Sequence, residues 1–273
     1  MPSFVMPLAS GSLGNALLLA SNGTRVLIDM GLSQRRLKAG LAAAATAPEE
    51  VGAVFLTHTH RDHVSAAAVG FCLAHGTPLH SSRENLEHLA AAMPGFARLV
   101  RAGLAVPVDG EPVDVGDVRV EAFDVPHDAA GRPLGFRVSL GPARARRAVA
   151  VATDLGHVPG DALAAFIDAT AVVIESNHDP EMLWQSRRPP DLIERIAGPH
   201  GHLSNGAAAE ALAEIVGRSH PGRVREVVLA HLSRDCNTPR LALEAQAHLA
   251  RTQAGRVRFT AATQYDAGPR IAL

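Results

Sequence analysis

Residues 58–63 read His58-Thr59-His60-Arg61-Asp62-His63, three histidines and an aspartate within six positions. Imidazole nitrogens and carboxylate oxygens are preferred ligands of zinc and its first-row neighbours. The residues just before, Val54-Phe55-Leu56-Thr57, are apolar or β-branched and read as the end of a buried strand. The cluster therefore sits on a loop projecting from a rigid strand, a favourable place to build a metal site. A solvated loop that is His-rich by chance is the competing reading, and the downstream sequence decides against it.

Three further strand ends carry ligand types. Val125-Pro126-His127-Asp128 follows an apolar run over 118–123, and Ala152-Thr153-Asp154-Leu155-Gly156 ends another over 148–153. Leu229-Ala230-His231-Leu232-Ser233 ends a third, over 226–230. A lone histidine after a strand is ordinarily structural. Four strand ends that each carry His or Asp make a shared site the better reading.

The rest of the chain supplies a frame. Apolar patterning predicts strands over 4–8, 16–20 and 25–29, with Asn22-Gly23 as a hairpin turn. Ser33 is placed to cap a helix reaching to about residue 45. Helices over 64–75 and 83–93 enclose a short strand at 78–81, and 104–153 is rich in strand signals. Strands over 171–175, 226–230 and 257–260 then alternate with helices over 161–168, 191–197, 204–216 and 239–253. Two strand sets, each followed by helices and joined without a long Gly/Pro/Ser linker, predict one domain over 1–273. Its sheets pack face to face with helices outside.

Composition narrows the partners. A formal net charge of −1 argues against a globally basic nucleic-acid binder, so a polyanion would have to meet a local patch. The best basic clusters are Arg187-Arg188 and the group Arg144, Arg146 and Arg147. The small-residue loop Ser10-Gly11-Ser12-Leu13-Gly14-Asn15 is a candidate anion-binding turn. One Trp, one Tyr and eight Phe offer few faces on which bases could stack. Cys72 and Cys236 lie far apart and fit a reducing compartment. The start, Met1-Pro2-Ser3-Phe4-Val5, lacks a basic region followed by an apolar run, and no long apolar span occurs elsewhere. A cytoplasmic protein with no membrane contact is the expectation.

The order His-x-His-x-Asp-His, then His127, Asp154 and His231, resembles the metallo-β-lactamase superfamily. The resemblance runs from Ile28-Asp29-Met30-Gly31 to Ala230-His231. It implies an α/β fold, the four-layer αββα sandwich, and a centre of two divalent ions (zinc, manganese or iron). By the same resemblance His58, His60 and His127 hold one ion, Asp62, His63 and His231 the other, and Asp154 bridges them. Asp154 stands where one large class of true β-lactamases carries Cys. The setting of His127, shortly before Gly135-Phe136, is similar to the tRNase Z and phosphodiesterase side of the superfamily. It is unlike the Gly-His-Thr-type loop of glyoxalase- and lactonase-like members. Against tRNase Z itself, Gly31-Leu32-Ser33-Gln34-Arg35 replaces the usual Gly-Glu-x-Thr-Gln.

Three stretches resemble the YycJ/WalJ-like branch, whose members are described as metal-dependent DNA exonucleases. They are Ser10–Asn15, Glu175-Ser176-Asn177-His178-Asp179 and Gly201-His202-Leu203-Ser204-Asn205. The resemblance implies a phosphodiesterase acting on DNA, in which Asp62 both ligates and orients the nucleophile. His202 would face the scissile phosphate as charge stabiliser or proton donor. Glu175 would orient a ligand histidine, and His178 would contact phosphate or add a ligand. Two other readings stand beside it. One is a small-molecule metallohydrolase for a cyclic phosphodiester, lactone or thioester, which the charge and the scarce aromatics favour. The other is a metal-binding regulatory protein without turnover.

Overall fold

A computed structural model describes residues 3–142, 146–253 and 255–273. Six strands in chain order build the first sheet: β1 (Phe4–Ala9), β2 (Ala16–Ser21), β3 (Thr24–Ile28), β4 (Val51–Phe55), β5 (Leu79–Ser81) and β6 (Ala105–Pro107). The second sheet takes the next seven. These are β7 (Val113–Val115), β8 (Val118–Asp124), β9 (Leu134–Leu140), β10 (Arg147–Ala152), β11 (Ala171–Glu175), β12 (Glu226–Ala230) and β13 (Arg258–Ala261). A last strand, β14 (Ile271–Ala272), returns to the first sheet and pairs antiparallel with β1. The orders are β14-β1-β2-β3-β4-β5-β6 and β13-β12-β11-β10-β9-β8-β7.

Period-two alternation sorts each central strand between two cores. Val26 and Ile28 of β3 face the second sheet, where they meet Val120, Phe136 and Val138, while Leu27 turns outward. In β10, Val149 and Val151 point between the sheets, and Ala150 and Ala152 point to the opposite face. The outward face of the first sheet packs on Leu37, Leu41, Ala68, Val69, Leu86 and Leu89 from helices Gln34–Ala43, Ala66–His75 and Arg83–Ala92. The outward face of the second packs on Leu163, Phe166, Leu212 and Ile215 from helices Gly160–Phe166 and Asn205–Arg218. Burial on both faces explains why these strands are apolar runs rather than apolar/polar alternations. The architecture is the expected four-layer αββα sandwich. No described helix is long and apolar enough to cross a membrane.

Strands β3 to β6 run parallel, as do β10 to β13, and β8 is parallel to β10 through their shared antiparallel neighbour β9. Their carboxyl ends therefore open on one rim, the place where α/β sheets present their functional loops. The expected helix over 239–253 is two, Pro239–Ala245 and Ala247–Thr252, which meet at Gln246. Arg144 of the expected basic cluster lies outside the described residues, and Arg147 opens β10. Arg188 is tied to Asp235 at 3.2 Å.

Candidate metal centre

The loop after β4 carries His58, His60, Asp62 and His63, and His127 follows β8. Asp154 follows β10, Glu175 closes β11 and His231 follows β12. The chain turns sharply to bring them inward. Asp29, Asp154 and His231 take left-handed backbone, at φ of 61°, 59° and 52°. Such a conformation costs a non-glycine residue on the order of 1 kcal/mol and persists where surrounding contacts hold it.

Each of four histidines has its Nδ1 engaged away from the centre. His58 Nδ1 meets Thr57 Oγ1 at 3.0 Å, and His63 Nδ1 donates to Asp29 Oδ2 at 2.8 Å. His127 Nδ1 donates to the Gly201 carbonyl at 3.1 Å and His231 Nδ1 to Glu175 Oε1 at 2.9 Å. The four Nε2 atoms are thereby left for the centre, the arrangement in which an outer partner fixes tautomer and ring angle. His60 is the exception: its Nδ1 points inward, 3.1 Å from His58 Nε2 and 3.3 Å from His127 Nε2.

Three ring nitrogens facing one another cannot all be satisfied by shared protons, because a neutral imidazole supplies only one N–H. They suit a cation. The same holds next door, where Asp62 Oδ2 lies 3.2 Å from His231 Nε2 and 3.6 Å from His63 Nε2. Asp154 lies between the two groups, with Oδ2 3.0 Å from His63 Nε2 and Oδ1 3.9 Å from His127 Nε2. Although His63 is close, the buried Oδ2 has no well-aligned hydrogen-bond donor among the described residues. Donor atoms of His58, His60 and His127, of Asp62, His63 and His231, and of His58, His63 and Asp154 form clusters able to hold a metal ion. The residue set fits divalent metals.

Electrostatics split the centre. Burial pushes the His58 and His60 imidazoles down, helped by the neighbouring rings His63 and His127 respectively. Burial is the largest influence on His63 and His231 and opposes their charge, but the surrounding carboxylates together outweigh it, Asp154 with Asp29 and Asp62 for His63 and Asp154 with Asp62 and Glu175 for His231. His63 is raised and His231 is pushed up to about 10. Burial likewise works against the Asp62 carboxylate, yet His63 and His231 beside it hold it well below the usual range. One pocket thus contains two imidazoles, His58 and His60, that burial holds towards the neutral form, and the other carboxylates and imidazoles in mutual attraction.

Glu175 is also within reach of Asp154, His202 and His231, but its oxygens are already occupied. Oε1 accepts from His202 Nδ1 at 2.8 Å and from His231 Nδ1, while Oε2 accepts the backbone N–H of Leu155 at 3.0 Å and of Leu203 at 3.1 Å. Burial would raise its carboxyl. The His202 ring and these donors prevail and hold it at about 2. His202 is half-buried, its ring centroid 5.1 Å from that of His127 and 5.5 Å from that of His231. Its Nε2 makes no hydrogen bond to any described residue.

His178 stands apart from the metal-binding clusters. It is buried, forms a β-bridge with Ser204, and accepts the Asn205 N–H on its carbonyl at 2.8 Å. Burial pushes its imidazole down to about 4. Four backbone N–H groups of the Ser10–Asn15 loop, the expected anion turn, are engaged within the protein: Ser10 donates to Thr263, Gly11 to the Asn15 side chain, Gly14 to Gly11 and Asn15 to Asp62. Asp29, which sequence reading takes only as part of the Ile28-Asp29-Met30-Gly31 strand end, accepts from His63 Nδ1; its local signal is a carboxylate directly after an apolar strand, on the rim that holds the histidines.

A fold of two facing sheets with a His/Asp centre at the strand ends defines a known class of proteins. Residues 24–232 match the family model described as the beta-lactamase superfamily domain, and the chain belongs to that superfamily. Among characterised relatives it is similar to "Exodeoxyribonuclease YycJ" of Bacillus anthracis, 32% identical over 86% of this chain and 84% of the relative. It is also similar to "Exodeoxyribonuclease WalJ" of Streptococcus pneumoniae, 31% identical over 86% and 83%. The fold is shared with the metallo-β-lactamase fold protein YhfI of Bacillus subtilis, at a TM-score of 0.68 and 16% identity over 98% and 99% of the two chains.

Proposed function

We propose that this chain is a metal-dependent phosphodiesterase that shortens DNA from an end. It would act in the cytoplasm as a single domain over residues 1–273 with two divalent ions, zinc, manganese or iron. Relatives of nearly full length named as exodeoxyribonucleases support the reaction class. The observation that carries the mechanism is the Glu175–His202 pair beside two ligand clusters, with Asp154 between them at 3.0 Å from His63 Nε2 and 3.9 Å from His127 Nε2.

In this reading His58, His60 and His127 would hold one ion, Asp62, His63 and His231 the second, and Asp154 would serve both. Bound divalent ions would supply positive charge for the phosphodiester oxygens and a more acidic water. Asp62, partly exposed, would help hold the second ion and orient the attacking water, whose proton would pass to bulk solvent. Glu175 fixes the His202 ring through Nδ1, so that Nε2–H is turned to the leaving oxygen and donates a proton as the P–O bond breaks. His178 seats the 202–205 segment through its bridge to Ser204 and its carbonyl on the Asn205 N–H. Tyr265, 66% exposed, lines a groove with Leu232 and Ser233, which directly follow His231, and gives a terminal base a face to stack on.

The test uses end-labelled linear duplex and single-stranded DNA, with covalently closed circles as the control, in Mn²⁺ or Zn²⁺. Release of nucleotides from linear DNA, circles left intact and strong inhibition by added salt are expected. Turnover of chromogenic esters or cyclic phosphodiesters with linear DNA untouched would identify a small-molecule hydrolase instead. No turnover of any of these by protein carrying both ions would make it a metal-binding protein without catalysis.

A further inference from the structure

The Asp62–His63–His231 pocket draws on both sheets. Asp62 and His63 hang from the first, His231 from the second, and among the described residues no strand pairing joins the sheets at this rim. Something must hold the halves in register to within a few tenths of an ångström for one ion to bind. We propose that Ser10 and Asn15, in the loop between β1 and β2, are the positioning residues that lock His231 to Asp62 and His63.

The contacts form an unbroken chain. The His231 N–H donates to Ser10 Oγ at 2.8 Å, and that hydroxyl donates to Asn15 Oδ1 at 3.2 Å. Asn15 Oδ1 also accepts the Gly11 N–H at 2.7 Å, so two donors settle which end of the amide is oxygen. Asn15 Nδ2 is thereby presented to the other half of the pocket. It lies 3.2 Å from the Asp62 carbonyl and 3.4 Å from Asp62 Oδ2, with the Gly11 carbonyl at 3.3 Å; His63 Nε2 is also 2.9 Å away, but its lone pair is the one an ion would take, so with the ion bound the amide holds His63 through the adjoining Asp62 carbonyl. The Asn15 backbone adds N–H to the Asp62 carbonyl at 2.7 Å.

Ser10 and Asn15 are both buried. Ser10 also answers a particular need: left-handed His231 turns its backbone N–H away from the sheet ladder, and an unpartnered buried N–H costs about 1–3 kcal/mol. The loop has little room to drift, since a Cβ on Gly11 would meet the Gln264 side chain at 2.5 Å and one on Gly14 the Gly31 carbonyl at 2.8 Å. Ordinary loop packing would need none of these contacts to end on ligand residues of both sheets.

The inference rests on the two-ion reading. Metal-free wild type, Ser10→Ala, Asn15→Ala and Asp62→Asn are titrated with Co²⁺ by calorimetry and visible absorption, and their melting temperatures are recorded. Wild type is expected to bind two ions. Ser10→Ala and Asn15→Ala should weaken one binding event about 10- to 100-fold, the size typical of lost outer-sphere partners. It should be the same event that Asp62→Asn weakens, with its Co²⁺ absorption band altered and the other event within two-fold of wild type. Should Asn15→Ala not fold, Ser10→Ala decides alone. Both events unchanged, or both weakened alike with a lowered melting temperature, would reduce the loop to packing and overturn the proposal. Wild type that binds a single ion would overturn the two-ion reading, and this inference with it.

Discussion

Glu175 accepts a hydrogen bond from His202 Nδ1 at 2.8 Å, through the same Oε1 that His231 Nδ1 reaches at 2.9 Å. One buried carboxylate thereby orients a proposed metal ligand and the proposed proton donor, so that neither ring can rotate without disturbing the other. Backbone N–H groups of Leu155 and Leu203 fix its second oxygen and prevent it from swinging into a ligand position.

Glu175→Gln tests that hub. The amide keeps the shape but sets an N–H against donors whichever way it turns, either the His202 and His231 rings or the Leu155 and Leu203 N–H groups, so the hub must loosen. We expect metal affinity to fall about 10- to 100-fold. Turnover on linear DNA should fall further still at saturating metal, because His202 loses its orientation. Turnover equal to wild type at saturating metal would remove Glu175 from the mechanism.

Gly31 tests how tightly the rim loops are packed. A Cβ there would lie 1.7 Å from the Asp62 carbonyl oxygen and 2.7 Å from the His63 nitrogen, so the loop carrying Asp62 and His63 must move. Gly31→Ala is expected to lose about 1–3 kcal/mol or more, the range for overpacked interiors. It should also weaken the ion bound at Asp62 and His63. Thermal unfolding and metal titration read both, and wild-type values in each would contradict the packing described.

His80, outside the candidate ligand set, gives a pH dependence of its own. Its ring stacks on Phe55 at a centroid distance of 4.9 Å, its Nδ1 is buried without a hydrogen-bond partner among the described residues, and burial pushes its pKa from 6.5 down to about 4. A histidine depressed by folding stabilises the protein fully above pH 6.5, and the contribution is lost as pH falls from 6.5 to 4. At 1.36 kcal/mol per unit this single group accounts for about 3 kcal/mol of acid sensitivity. Denaturant titrations of wild type and His80→Leu across that window should show a shallower decline in the variant. Parallel curves would show that His80 does not titrate differently in the folded chain.

Much of this was legible in the sequence because the site is made of strand ends. His58 to His63, His127, Asp154 and His231 each follow an apolar run, and parallel topology gathers such ends without further instruction. Glu175 and His202 were also legible, though their direct contact was not, since 27 positions separate them. The missing pieces are those in which local pattern carries no long-range information. β14 spans two residues and shows no alternation, yet it closes the first sheet. Asp29 resembles any polar strand terminator until its carboxylate is seen on His63. Ser10 and Asn15 suggested an anion turn by composition alone. Their donors and acceptors prove to face His231 and Asp62, which only the packing of the two sheets reveals.

The central claim is that seven residues hold two ions on one rim. Crystals grown with Zn²⁺ or Mn²⁺, measured at the absorption edge of the bound metal, test it most directly. We expect two anomalous peaks, one among His58, His60 and His127 and one among Asp62, His63 and His231, with Asp154 in contact with both. A single peak, or peaks away from these side chains, would contradict the assignment.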